Sequence, residues 1–116
     1  MSASSSHSRK DSMDVTVLVV PDCPHATPAA NLLAEILAEE GYGHLIVGVE
    51  VIDNQEHAQA RGFIGSPSFF FDDNDLFAVP GAPAAVACRT YATSSGLAGL
   101  PDRTTLAAAV RARLAT

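Results

Sequence analysis

Two cysteines, Cys23 and Cys88, have the side chains best suited to chemistry in this sequence. A cysteine thiolate is a nucleophile and a soft metal ligand, whereas the neutral thiol is a weak one. Cys23 follows a β-branched run that ends at Pro21, and it precedes a segment with helical periodicity. At such a junction the backbone N–H groups and the positive end of the helix favour the thiolate. We therefore expect Cys23 to be a reactive thiol, the alternative being a small, partly buried apolar residue.

The residues after Cys23 decide how strongly its thiol is activated. His25 could stabilise the thiolate as an imidazolium or by donating a hydrogen bond, or it could be a polar residue exposed at a helix start. Thr27 and Pro28 suit the cap and the first position of a helix, which would leave Cys23 a turn too early to feel the full dipole. If the helix begins at Pro24 instead, Pro28 would bend its first turns. The sequence leaves both helix starts open.

Cys88 lies in a connection between Pro80 and Pro101 that is rich in Pro, Gly, Ala and Ser. Compact domains seldom leave so long a connection without structure, so we expect a function or hidden structure there. Cys88 could resolve a mixed disulfide formed at Cys23, or it could be a loop cysteine without redox work. Spacing alone does not fix the Cα separation that a disulfide needs.

The elements that position these residues follow from apolar alternation and periodicity. The predicted elements are a strand at 15–20, a helix at 28–40, a strand at 44–52, a short helix between Asn54 and Gly62, strands at 68–71 and 76–79 around a turn at 72–75, and a helix after Asp102 with the stripe Leu106, Val110 and Leu114. This order predicts an α/β protein with a single mixed sheet, helices on both faces, and parallel first and second strands.

Length and charge limit the classes of function. The chain has 116 residues, enough for one domain, which we expect at 13–116 after a disordered N-terminal tail at 1–12. Acidic residues outnumber basic ones 13 to 7, so nucleic acid is not expected as a partner. We expect a cytoplasmic protein without a membrane partner, since neither a spanning stretch nor a signal pattern is present. We expect no metal and no other cofactor, because His7, His44 and His57 lack partners at ligand spacing and the cysteines match no zinc pattern.

The run GFIGSPSFFFDDNDLFAVPG, at 62–81, resembles a stretch of the thioredoxin-like superfamily. There a small residue and a cis-proline precede an apolar strand, a polar turn, a second strand and a glycine. Cys23 precedes Pro67 by about the separation that thioredoxins show, and CPHA at 23–26 resembles the CPHC motif of DsbA-type oxidants with alanine as its last residue. The CP-x-x-x-P opening, the GSPS step and CRTY at 88–91 resemble small bacterial thioredoxin-like proteins. The resemblance implies a thioredoxin fold of order βαβαββα.

The resemblance also implies roles for Ser66 and Pro67. We expect a cis bond between them, the alternative being a trans proline that opens a strand. The Ser66 backbone would then be open to pair with an extended peptide laid beside Cys23. Two features depart from thioredoxins: Asp22 stands where they keep a tryptophan, and the first strand has Thr16 among apolar residues where they keep a buried acid.

We therefore predict a thioredoxin-like thiol–disulfide oxidoreductase in which Cys23 attacks a disulfide, assisted by Pro24 and His25. Its partners would be a disulfide-containing protein or a low-molecular-weight thiol. Because Ala26 replaces the motif's second cysteine, Cys88 or a low-molecular-weight thiol must resolve the mixed disulfide. That replacement also supports the alternative of a non-catalytic thioredoxin-fold binding module for a peptide, a protein or a soft metal ion. An iron–sulfur role would resemble monothiol glutaredoxins, whose CGFS motif the sequence lacks.

Overall fold

The protein is a mixed α/β protein, seen in a computed structural model that describes residues 13–115. The predicted tail at 1–12 lies outside the described residues. In chain order the elements are β1 (Val15–Val19), α1 (Ala26–Glu39), β2 (Val47–Val51), α2 (Gln55–Arg61), β3 (Ser68–Phe71), β4 (Asn74–Asp75), β5 (Tyr91–Thr93), β6 (Gly96–Ala98) and α3 (Arg103–Leu114).

The main sheet has the strand order β2-β1-β3-β4. β1 pairs in parallel with β2, with Val17 opposite Val49, and antiparallel with β3, with Leu18 opposite Ser68. β4 returns antiparallel to β3. The predicted mixed sheet with parallel first and second strands is confirmed. Its register also brings the carboxyl end of β1 beside the amino end of β3.

Each face of the sheet has its own apolar cluster, because successive strand residues point to opposite sides. One face carries Val17 and Phe69 and packs against α1 and α3. The other carries Leu18 and Phe70 and packs against Ala58 of α2. Helices thus cover both faces, as the order of elements predicts.

The two later helices begin at residues that the sequence identifies as caps, but the caps differ. The Asn54 side chain accepts a hydrogen bond from the His57 N–H at 2.8 Å, and α2 ends at Gly62 in the left-handed conformation. Both features are as predicted. Asp102 occupies the N-cap position of α3, yet its carboxylate accepts from the Ser94 N–H at 2.8 Å and leaves the helix uncapped. The predicted buried stripe of α3 is confirmed at Leu106, Val110 and Leu114.

The predicted return strand at 76–79 is wrong. The chain reverses earlier, with Asp72 in the left-handed conformation, and pairs with β3 through β4 and through the Leu76 N–H, which donates to the Phe69 carbonyl at 2.9 Å. The chain leaves the sheet in the turn at 76–77, where Asp75 Oδ1 accepts the Phe77 N–H at 2.9 Å.

Residues 76–102, called the connecting segment below, contain structure that periodicity does not reveal. β5 and β6 form a separate two-stranded hairpin with Tyr91 opposite Ala98. An isolated parallel bridge also places Cys88 opposite Ser66. The long connection is therefore structured, as its length led us to expect, and it returns to the main sheet at the residue before Pro67.

Candidate functional site

Cys23 lies in the turn between β1 and α1, at the carboxyl end of the central strand. Its N–H donates to the Val20 carbonyl at 3.3 Å, and its carbonyl accepts from the Ala26 N–H at 3.2 Å. Asp22 adopts a left-handed conformation, which aspartate tolerates better than most residues. The Cys23 side chain is partly buried against the cluster under α1, and its thiol is free. The turn therefore holds the sulfur at the border between core and surface.

Helix α1 begins at Ala26, between the two starts that the sequence allows, with His25 at the N-cap position. Cys23 thus lies just before the helix rather than in its first turn. Among the described residues no side chain caps this helix, and its first turn carries no acidic residue. The partial positive charge of the helix start is not offset by a carboxylate of that turn. Pro24, between Cys23 and His25, is exposed.

The imidazole of His25 packs against Gly99 of the connecting segment. A Cβ at position 99 would lie 2.6 Å from Cδ2 and 2.8 Å from Cε1 of His25, and closer still to Nε2. Real side chains do not approach so closely, so His25 occupies space that any other residue at 99 would need. The connecting segment therefore contacts the CPHA motif directly.

Ser66 and Pro67 lie at the same end of the sheet as Cys23. The peptide bond between them is cis, as predicted. Ser68 follows immediately and pairs with Leu18 near the end of β1. Cys23 comes after that end of β1, so the topology gathers the predicted site residues at one end of the sheet.

The Ser66 backbone, which we expected to be open, is paired with the connecting segment. Its N–H donates to the Ala87 carbonyl at 2.8 Å, and its carbonyl accepts from the Arg89 N–H at 3.0 Å. Ser66 is only 1% exposed. Its hydroxyl is buried without a hydrogen-bond partner among the described residues. The position expected for a peptide ligand is thus occupied by the chain itself.

Arg89 fixes the connecting segment to the sheet. Its guanidinium donates to Asp75 Oδ2 at 2.9 Å, to Ser68 Oγ at 3.0 Å and to the Phe77 carbonyl at 2.9 Å. The Arg89 and Asp75 side chains are 11% and 6% exposed, so this is a buried ion pair. Arg89 also lies close to Gly65. A Cβ added at position 65 would be 2.6 Å from the Cβ of Arg89. These contacts hold residue 89 in place beside Ser66.

Tyr91 is a second anchor of the connecting segment. Its hydroxyl donates to the Pro67 carbonyl at 2.5 Å, and its ring packs edge-on against Phe77. The Arg89 guanidinium lies 4.8 Å from the centre of the ring. Burial raises the pKa of Tyr91 well above its usual value, and the nearby Arg89 only partly opposes this shift. The hydroxyl therefore remains a proton donor to the carbonyl of Pro67.

Cys88 lies between these anchored residues, exposed and with a free thiol. The structure brings it to Ser66, and its role as a resolving thiol stays a prediction. Arg89 and Tyr91 lie in the CRTY stretch at 88–91, but no role was predicted for them or for Gly99. One signal was available: Arg89 is the only charged residue between Asp75 and Asp102. A lone charge in an apolar segment needs a partner if it is buried.

No metal site is formed by the described residues. No group of three or more His, Cys, Asp or Glu side chains in this part of the chain could hold a metal ion. His57 instead lies 2.8 Å from Glu50 Oε2, which Arg61 also contacts at 3.1 Å. Within residues 13–115, no helix is long and apolar enough to cross a membrane.

Comparisons with protein-family models, with curated proteins and with solved structures found no match. The class of this protein is therefore inferred from its own residues. They provide a free, partly exposed thiol at a helix start. At the neighbouring end of the sheet, the backbone of Ser66 is paired with the connecting segment at Cys88.

Proposed function

We propose that this protein has a thioredoxin fold and performs thiol–disulfide exchange through Cys23. The order of elements from β1 to β4, followed after the connecting segment by α3, supports the fold. So do the position of Cys23 after β1 and that of Pro67 directly before β3. The separate β5–β6 hairpin is an addition to the order that the resemblance implies.

The observation that carries the proposed activity is the position of Cys23 at the uncapped start of α1. Backbone N–H groups at a helix start favour an anion, and a sulfur anion is the form that attacks disulfides. The first turn of α1 contains no acidic side chain that would compete for this position. Cys23 is also partly exposed, so a substrate sulfur can reach it.

In the proposed reaction the Cys23 thiolate attacks one sulfur of a substrate disulfide. A bond forms between the two sulfurs, the substrate S–S bond breaks, and the second substrate sulfur leaves as a thiolate. An external low-molecular-weight thiol then attacks the substrate sulfur of the mixed disulfide and releases Cys23. Alternatively, Cys88 attacks the Cys23 sulfur, which releases the substrate thiol and leaves a Cys23–Cys88 disulfide.

The alkylation rates of the two cysteines test this proposal, because solvent exposure alone predicts the opposite order of rates from the one that the proposal predicts. Cys88 is exposed and Cys23 is partly buried, so unactivated thiols would react faster at position 88. We expect iodoacetamide to modify Cys23 faster than Cys88 at neutral pH, as read by mass spectrometry of the digested protein. The His25→Ala variant should slow Cys23 selectively if the imidazole stabilises the thiolate.

Two single variants complete the test. Cys23→Ser should abolish exchange with a model disulfide, whereas Cys88→Ser should retain the first attack and lose at most the resolving step. Slow alkylation of Cys23 together with full exchange activity in Cys23→Ser would contradict the proposal. Slow alkylation without any exchange would instead favour the non-catalytic binding module.

A further inference from the structure

We propose that Cys23 acts on small, low-molecular-weight disulfides and that residues 87–89 exclude extended polypeptides from the site. This inference rests on the proposed function and specifies its substrate class. It follows from the occupied backbone of Ser66, from the way residues 87–89 are anchored, and from the contact between Gly99 and His25.

An extended peptide is recognised at a sheet edge through free N–H and C=O groups. At Ser66 both groups are already bonded, to Ala87 at 2.8 Å and to Arg89 at 3.0 Å. Ser66 is 1% exposed and Pro67 is buried as well. A polypeptide would have to displace residues 87–89 before it could pair there.

Displacement would break more than the two backbone bonds. Residues 87–89 are followed by Tyr91, whose hydroxyl bonds to Pro67, and they include Arg89, whose ion pair with Asp75 is almost fully buried. Separating that pair would leave the Asp75 carboxylate without its cation in a buried place, which is costly. The segment is therefore a fixed part of the site rather than a loosely attached loop.

The other side of the site is also limited by the connecting segment. The imidazole of His25 packs directly against Gly99, so the end of the hairpin covers the start of α1. Cys23 nevertheless stays partly exposed. A small disulfide needs to bring only its sulfur to Cys23 and requires no backbone pairing at Ser66. Attack on it forms the Cys23 mixed disulfide and releases one small thiolate, as in the reaction above.

The test compares two substrates with the same aromatic thiol as leaving group. In one it is joined to N-acetylcysteine, and in the other to a cysteine within a short extended peptide. The Cys88→Ser protein is the parent, so that every release of the aromatic thiol reports on Cys23. We expect the parent to react about tenfold faster with the small substrate, because the anchored segment obstructs the peptide and leaves it no backbone hydrogen bonds that would offset this cost.

A variant with a loosened segment gives the decisive contrast. Replacing the ion pair by a neutral one, Arg89→Gln with Asp75→Asn in the parent, removes the charges without leaving one of them buried alone. We expect the peptide reaction to gain most of the tenfold difference and the small substrate to change little. A peptide that is N-methylated beside its cysteine cannot pair through its backbone, and it should gain less than the unmethylated peptide.

Each outcome has a separate meaning. A parent that reacts equally fast with both substrates overturns the small-substrate inference and leaves the proposed function standing. A parent that reacts with neither overturns the proposed function. If the neutral-pair variant fails to fold, amide hydrogen exchange in the parent decides: the Ser66 and Arg89 amides should be protected as strongly as those of β3, and rapid exchange at both overturns the inference.

Discussion

The main sheet with its helices and the connecting segment are stabilised in different ways. The sheet buries complete apolar side chains on both faces, among them Val17, Leu18 and Phe69. The connecting segment leaves apolar side chains such as Leu97 exposed, and it is fixed through directed polar contacts of Arg89 and Tyr91. Burial is shared among many residues, whereas the side-chain hydrogen bonds that the described segment donates to the sheet end around Pro67, Ser68 and Asp75 come from Arg89 and Tyr91.

This difference has a physical basis. The hydrophobic effect is non-directional and roughly proportional to the area buried, so a weakened contact in the sheet lowers the stability of the whole apolar cluster. A buried ion pair is directional, and the loss of one partner leaves an isolated charge. A substitution at an anchor of the connecting segment should therefore loosen that segment selectively, whereas a substitution in the apolar cluster should loosen the sheet as a whole.

The largest effect is expected from Arg89→Met. The change leaves the Asp75 carboxylate buried without its cation, and we expect the free energy of unfolding to fall by about 3–5 kcal/mol, as measured by urea denaturation. Adding Asp75→Asn should recover much of this loss, because the asparagine removes the lone charge and can still accept the Phe77 N–H at its Oδ1.

Leu33→Ala in α1 is the matched control for Arg89→Met, since Leu33 is fully buried in the apolar cluster between the sheet, α1 and α3. It should cost about 2–5 kcal/mol and weaken protection against hydrogen exchange throughout the sheet. Arg89→Met should instead remove protection selectively at Ser66 and in the connecting segment. Uniform loss of protection in both variants would show that the two regions do not differ in this way.

A smaller effect is expected from Tyr91→Phe. The substitution keeps the ring against Phe77 but leaves the buried Pro67 carbonyl without its hydroxyl donor. We expect a loss of about 1–3 kcal/mol in urea denaturation at neutral pH. An unchanged midpoint would mean that the hydroxyl does not contribute to anchoring.

The same variant has a pH signature. Burial raises the pKa of Tyr91 above its ordinary value, so the folded protein keeps the phenol proton at a pH where the unfolded chain releases it. The stabilisation is complete below pH about 10 and is lost above it, by at most about 1.4 kcal/mol per pH unit. Tyr91→Phe should remove this component, so wild type and variant should converge in stability as the pH rises above about 10.

The smallest effect is expected at Arg103, which bridges α3 to Glu35 and Glu39 of α1 on the exposed surface. Exposed ion pairs contribute little, because water and salt screen them. We expect Arg103→Ala to shift the urea midpoint slightly at low salt and not at all at high salt. A loss comparable to that of Arg89→Met would show that burial does not separate these two arginines.

Much of the main sheet could be predicted from local signals. β3 is predicted at its observed bounds, because a short phenylalanine run directly after proline favours a buried strand. α2 is predicted by a cap at Asn54 and a stop at Gly62, both of which act through adjacent backbone. The start of α1 could not be decided, since Thr27 and Pro28 compete with Pro24 for the first turn and the structure places it between them.

The candidate site could be predicted only in part. Cys23 and the cis bond before Pro67 lie within short, characteristic sequences. The pairing of Ser66 with the connecting segment depends on Arg89 meeting Asp75, a contact between residues distant in sequence that periodicity cannot reveal. The role of Gly99 likewise depends on a histidine far away in the chain.

The backbone bridge opposite Ser66 also determines the freedom of the Cys88 sulfur. Because Ala87 and Arg89 are both bonded to Ser66, the thiol moves only by rotation about its own side-chain bonds. Its effective concentration toward any group within reach is thus set by the bridge and not by the length of the connecting segment. Residues inserted at the exposed hairpin turn of Ser94 and Ser95 would lengthen the chain without diluting this thiol.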